Sequence, residues 1–105
     1  MKALDVLLVC GSGASSGFMA ANMRKAAAKR GMDIKITARS ESEIENYLDE
    51  IDALMIGPHL KYLVEDVEER KGDAKVKVIL MKSEYYAKLN GDQALDDLLS
   101  YFKES

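Results

Sequence analysis

Cys10 is the only cysteine in this chain, and it stands between an apolar run and a stretch of small residues. Leu7-Leu8-Val9 precede it, and Gly11-Ser12-Gly13-Ala14-Ser15-Ser16-Gly17 follow, leading toward a segment rich in Ala, Met, Lys and Arg. Three chemistries compete for such a stretch. Its glycines could cradle the phosphates of a nucleotide, its cysteine could pack as a small hydrophobe in a steric turn, or Cys10 could be presented as a nucleophile. A dinucleotide fingerprint needs G-x-G-x-x-G and an acid roughly 20 residues further on. Gly11 and Gly13 fit and Glu41 could supply the acid, but Ser16 holds the third glycine position and Gly17 comes one place late. No Lys follows the glycines as a nucleoside-triphosphate loop requires.

A cysteine facing a helix N-terminus has its thiol pKa lowered from about 8.5 by the helix dipole and unpaired N–H groups. The same donors form a nest for phosphoryl oxygens. Ser12, Ser15 and Ser16 add hydroxyls to them. What is missing then discriminates. A tyrosine-phosphatase loop carries Arg six positions after its cysteine to clamp the phosphoryl bidentately; here that position is Ser16, and Arg24 is the first basic residue beyond the loop. No Asp-Pro loop offers a general acid either. A phosphocysteine formed here is cradled but ill equipped for attack by water, which suits a carrier better than a hydrolase. The alternatives left open are a low-molecular-weight cysteine phosphatase or arsenate-reductase-like enzyme, and a half-Rossmann nucleotide-binding module.

The elements that must position this loop alternate in period. Ala3 to Val9 reads as a strand covered on both faces. A helix from Phe18 to Arg30 is closed by Gly31, and Ile34 to Thr37 alternates as a strand. Ile44, Tyr47, Leu48 and Ile51 fall on one helical face behind a capping box of Ser40 and Glu43. Ala53 to Ile56 is a third strand, ended by Gly57-Pro58. Leu60, Leu63, Val64 and Val67 form a helical stripe that stops at Gly72, Val76 to Met81 is a fourth strand, and Asn90-Gly91 is a turn before a helix bearing Leu95, Leu98, Leu99 and Phe102.

Alternating strands and helices predict an α/β fold: one domain over residues 1–105, with a four-stranded parallel sheet in the order 2-1-3-4, helices on both faces and a P-loop-like turn after the first strand. In such sheets ligands bind beyond the carboxyl ends of the strands, where the strand order reverses. That point lies between the first and third strands and selects Cys10 to Gly17 and Gly57 to Leu60.

Composition narrows the function. A chain of 105 residues, 48% hydrophobic and 31% charged, can bury a core without staples. One cysteine excludes an intramolecular disulfide, and no Cys/His cluster suggests a metal or calls for a cofactor. Fifteen basic and 18 acidic residues are interspersed, net charge −3, which argues against a nucleic-acid partner, whose footprint is clustered Lys and Arg. The first apolar stretch falls short of the ~18 residues a bilayer span needs, so the expectation is a cytoplasmic protein with a reduced thiol.

Val9-Cys10-Gly11-Ser12-Gly13-Ala14-Ser15-Ser16, the helix beginning Phe18-Met19-Ala20, and Gly57-Pro58-His59-Leu60-Lys61-Tyr62 together resemble the IIB component of the lactose/cellobiose/chitobiose phosphotransferase system. The resemblance runs essentially the length of the chain. It implies a cytoplasmic phosphotransferase whose cysteine takes phosphate from a histidine of the IIA component. The phosphoryl group then passes to a sugar, a β-linked disaccharide such as cellobiose, chitobiose or lactose, bound by the membrane IIC component. It makes Cys10 the phosphorylated nucleophile and Gly11 through Gly17 the phosphate-binding loop. Gly57 and Pro58 shape the facing loop, with His59 and Tyr62 on the docking rim. Two positions depart from the family pattern: Gly17 stands where a hydroxyl residue is common, and His59 where Gln is frequent.

The remaining features carry structural expectations. Met19 and Met23 read as core filler, with a docking face as the alternative. Glu65, Asp66, Glu68 and Glu69 read as a solvated helix face, and Tyr85-Tyr86 as packing or rim.

Overall fold

The apolar runs become the strands of one parallel sheet. The computed structural model describes residues 4–9, 13–72 and 75–102. Strands β1 (Leu4–Val9), β2 (Ile34–Arg39), β3 (Ala53–Ile56) and β4 (Lys77–Leu80) lie in the order β2-β1-β3-β4, all parallel, as the alternation predicted. Helices α1 (Gly13–Lys29), α2 (Ile44–Tyr47), α3 (Leu63–Lys71), α4 (Ser83–Ala87) and α5 (Gly91–Ser100) complete it, with 3₁₀ turns at Glu41–Glu43 and Pro58–Leu60.

Side chains of a strand alternate between faces, and β1 divides the core accordingly. Val6 and Leu8 join Met19, Ala20, Met23, Ala94, Leu95 and Leu98 beneath α1 and α5. Leu7 and Val9 join Ile44, Leu48, Leu63 and Val67 beneath α2 and α3. Met19 and Met23 are fully buried, so both are core. Glu65, Glu68 and Glu69 are exposed, while Asp66 pairs with Arg70 at 3.0 Å.

The helix ends follow local chemistry. Gly31, at φ 68°, closes α1 with Gly31 N–H donating to Ala28 and Met32 N–H to Ala27, a Schellman arrangement. Gly72 ends α3 as expected. Arg30 ties the foot of α1 to α5 through Asp96 at 2.7 Å and Asp92 at 3.3 Å. At the amino ends of the strands, Asp52 Oδ2 accepts from Asp5 N–H at 2.9 Å while Asp52 N–H donates to Asp5 C=O at 2.7 Å.

Several local expectations change. The first helix begins at Gly13 rather than Phe18, because packing of Met19, Ala20 and Met23 carries the helix back through small residues of weak propensity. Ser40 makes no side-chain cap; its hydroxyl meets that of Ser42 at 3.0 Å, ahead of a 3₁₀ turn. The stripe from Leu60 to Val67 is split between the Pro58–Leu60 turn and α3. Asn90 caps α5, its side chain accepting from Gln93 N–H at 3.1 Å. The short helix α4 is additional.

Candidate functional site

The order β2-β1-β3-β4 reverses direction at β1 and β3, so the segments following these two strands open onto one crevice. Cys10, Gly11 and Ser12 lie outside the described residues. Val9 is their fixed neighbour: it is buried, and its carbonyl accepts from Gly57 N–H at 2.9 Å. The end of β1 is thereby stitched to the start of the facing loop.

Beyond Ser12, Gly13, Ala14, Ser15 and Ser16 are the opening turn of α1. Their segment is helix rather than loop, and the first N–H groups of a helix have no intrahelical acceptors. The helix runs 17 residues with no acidic residue in its first turn. Its positive end therefore carries no carboxylate in its own first turn. Gly17 is exposed, and a β-carbon built on it meets nothing within 4 Å. Space thus exists for the hydroxyl side chains common at this position in the family it resembles.

The facing loop is equally plain. Gly57 is buried, Pro58 opens the 3₁₀ turn, and Leu60 N–H closes back onto the Gly57 carbonyl at 2.9 Å. The turn lifts His59 to the surface while Leu60 anchors it in the core. Tyr62, 65% exposed, borders a surface depression lined also by Lys61, Val64, Glu65 and Leu80. Phe18, 64% exposed, stands one residue beyond Gly17 on α1. From Gly57 to Tyr62 there is no acidic side chain, and Lys61 and His59 are the ionisable residues before Tyr62. The crevice suits an anion.

One neighbour was missed in the sequence. The His59 ring meets that of Tyr86, on α4, with centroids 5.8 Å apart and planes tilted by 49°. The preceding residue, Tyr85, is buried and donates from its hydroxyl to Asp97 on α5 at 2.5 Å. Burial, then this hydrogen bond, pushes the Tyr85 phenol well above its ordinary pKa. The available signal was positional: Tyr85-Tyr86 follows the fourth strand, and whatever follows a parallel strand lies at the carboxyl end of the sheet.

The family model described as "PTS system, Lactose/Cellobiose specific IIB subunit" matches residues 5–97. The chain belongs to this family. As a IIB subunit it is a phosphotransferase, and its part in the system is to carry a phosphoryl group on toward a sugar. The galactose-specific EIIB component of Lactococcus lactis is 30% identical over 95 residues, covering 86% of this IIB chain and 88% of the relative. The lactose-specific EIICB component of Lacticaseibacillus casei is 25% identical over 95 residues, which cover 89% of this chain but 16% of that longer polypeptide. The lactose-specific IIB domain of Streptococcus pneumoniae shares the fold at a TM-score of 0.87 and 14% identity, covering 97% of this chain and all of that one. Among the described residues no helix of this IIB subunit is long and apolar enough to cross a membrane.

Proposed function

We propose that Cys10 is the residue of this IIB subunit that carries the phosphoryl group. The observation that supports it best is the bond from Gly57 N–H to the Val9 carbonyl. It fixes the end of β1, one residue before Cys10, beside the loop after β3 and ahead of the N-terminus of α1. The Cys10 thiolate attacks the phosphorus of a phosphohistidine on the IIA component. An S–P bond forms, the N–P bond breaks, and the histidine nitrogen keeps the electron pair and takes a proton. In the second step a sugar hydroxyl held by IIC attacks phosphorus. The S–P bond breaks, Cys10 leaves as thiolate with its electron pair, and the hydroxyl proton passes to a base on IIC or to solvent. Residues 11–17 hold the phosphoryl oxygens with backbone N–H groups and serine hydroxyls, and no arginine in this loop aligns water against it.

The partners follow the family. The EIICB name of the Lacticaseibacillus casei relative joins a IIC part and a IIB part in one polypeptide, which supports IIC as the receiving partner, with IIA as donor. The subunit works at the cytoplasmic face. Its sugar is a β-linked disaccharide of the cellobiose, chitobiose or lactose kind, chosen by IIC rather than by the crevice described above. The chain belongs to one IIB domain, the family match running over residues 5–97.

Incubation with a phosphorylated IIA component adds one phosphoryl group to the wild-type chain and none to Cys10→Ser. A Cys10→Ser chain that accepted and passed on phosphate at the wild-type rate would overturn the assignment. The wild-type chain leaves p-nitrophenyl phosphate unhydrolysed, since the loop has no arginine.

A further inference from the structure

Asn90-Gly91 joins α4 to α5. In this dipeptide a side-chain amide is open to attack by its own backbone, because glycine has no β-carbon to shield it. A second constraint keeps glycine there. A β-carbon at 91 would lie 2.4 Å from the Asn22 carbonyl on α1, so no larger residue fits between the helices. The packing of α5 on α1 therefore leaves Asn90 with its least protective successor.

The fold holds the pair out of reaction. Asn90 N–H donates to the Tyr85 carbonyl at 2.9 Å, and the Asn90 carbonyl accepts from Ala94 N–H at 3.1 Å. Its side-chain oxygen accepts from Gln93 N–H at 3.1 Å. Closing a five-membered ring on the Gly91 nitrogen requires that nitrogen to eclipse Cβ about the Asn90 Cα–C bond. At ψ 96° the two stand nearly opposite each other. The carbonyl turns with that bond, so ring closure must break the Ala94 and Gln93 bonds and unwind the first turn of α5. A local tie keeps the turn in place: Asn22 Nδ2 donates from α1 to the Leu89 carbonyl at 2.7 Å. Leu89 itself holds a left-handed φ of 52°, a strain that opening relieves.

We propose that Asn90 is a deamidation site gated by this joint, unreactive while α5 is seated on α1 and reactive when its first turn opens. The Gly91 nitrogen attacks Asn90 Cγ and a C–N bond forms; the side-chain nitrogen leaves as ammonia, taking the Gly91 proton. Water then adds to one carbonyl of the resulting succinimide. Cleavage between nitrogen and Cγ leaves an aspartate, whose carboxylate caps α5 and suits its positive end. Cleavage between nitrogen and the main-chain carbonyl carbon leaves an isoaspartate. That product has one more carbon in the backbone, where Gly91 has no room to move. One product keeps the joint and the other destroys it.

The other asparagines, Asn22 and Asn46, precede Met23 and Tyr47 and serve as internal controls. The full wild-type chain is aged at mildly alkaline pH, folded or in urea, and peptide mapping by mass spectrometry follows each asparagine. In urea Asn90 converts about tenfold or more faster than Asn22 and Asn46, since only it precedes glycine. In the folded chain Asn90 slows about tenfold or more, the protection a closed local state gives. Asn22→Ala, which removes the donor to Leu89, raises the folded rate at Asn90 about fivefold, the scale of one hydrogen bond. It leaves Asn46 unchanged. Circular dichroism checks that this variant folds. If it does not, Arg30→Gln, which cuts the exposed tie from α1 to Asp92 and Asp96, replaces it with a rise of about twofold. An Asn90 that converts no faster than Asn46 in urea overturns the site. A folded wild type whose Asn90 converts as fast as in urea overturns the gate, whether or not either variant folds. So does a folded variant that keeps the wild-type rate.

Discussion

A β-carbon placed on Gly91 would lie 2.4 Å from both the carbonyl carbon and the carbonyl oxygen of Asn22, and 2.7 Å from Met23 N. The first residue of α5 therefore touches the backbone of α1 directly, and no side chain can yield to make room. Gly91→Ala must push the two helices apart, at a cost of about 1–3 kcal/mol or more. Gly17→Ala is the control: its β-carbon meets nothing, and removing a helical glycine stabilises by about 0.5–1 kcal/mol. Urea unfolding of the two variants should move in opposite directions.

Tyr85→Phe removes the hydroxyl bonded to Asp97 and should cost about 1–2 kcal/mol, as a hydrogen bond to a carboxylate does. The folded-state phenol is raised above its ordinary value near 10. Its contribution is therefore complete below that pH and is lost as pH rises through and beyond it, because the unfolded phenol ionises first. Stability of the wild type should fall in alkaline solution, and the fall should be shallower in Tyr85→Phe. Denaturant midpoints across the alkaline range measure both.

Asp52 acts at the opposite end of the sheet from the crevice. Asp52→Ala leaves Asp5 N–H without its acceptor and should destabilise by about 1–2 kcal/mol, whereas Asp52→Asn keeps an oxygen there and most of the stability. Phosphoryl loading from IIA, measured by mass spectrometry, should proceed at the wild-type rate in both.

Among the described residues, Phe18 on α1 and Tyr62 after the Pro58–Leu60 turn are large exposed side chains on the segments that follow β1 and β3. Truncating either to Ala should alter stability by no more than about 0.5 kcal/mol. Loading by IIA should slow about fivefold or more if they anchor the docking partner, the worth of ~1 kcal/mol at an interface. Stopped-flow loading with the thermal midpoint as control separates the two effects.

The sheet was legible because its inner strands carry continuous apolar runs, Val6–Val9 and Ala53–Ile56, and such runs at this spacing admit few topologies. The crevice was legible for the same reason: topology alone brings the ends of β1 and β3 together. Less legible was anything decided by tertiary contact. The first turn of α1 is composed of Gly13, Ala14, Ser15 and Ser16, whose propensities suggest a loop. Asn90-Gly91 reads locally as a turn, and only the close approach of α1 makes it the start of a helix. The five residues of α4 carry no period to detect, and nothing local in His59 or Tyr86, 27 positions apart, announces that they meet.

β1 has a hydrogen-bonded neighbour on each side, while β2 and β4 are the edges. Its amides therefore exchange with solvent only when the whole sheet opens, whereas Lys77–Leu80 can fray on its own. The strand that leads into Cys10 should thus be, with β3, among the slowest parts of the sheet to exchange deuterium. A partner that loosens the β4 edge or α4 while docking leaves the seat of the thiol undisturbed, and deuterium uptake in a complex should rise at the edge before it rises at Val6–Val9.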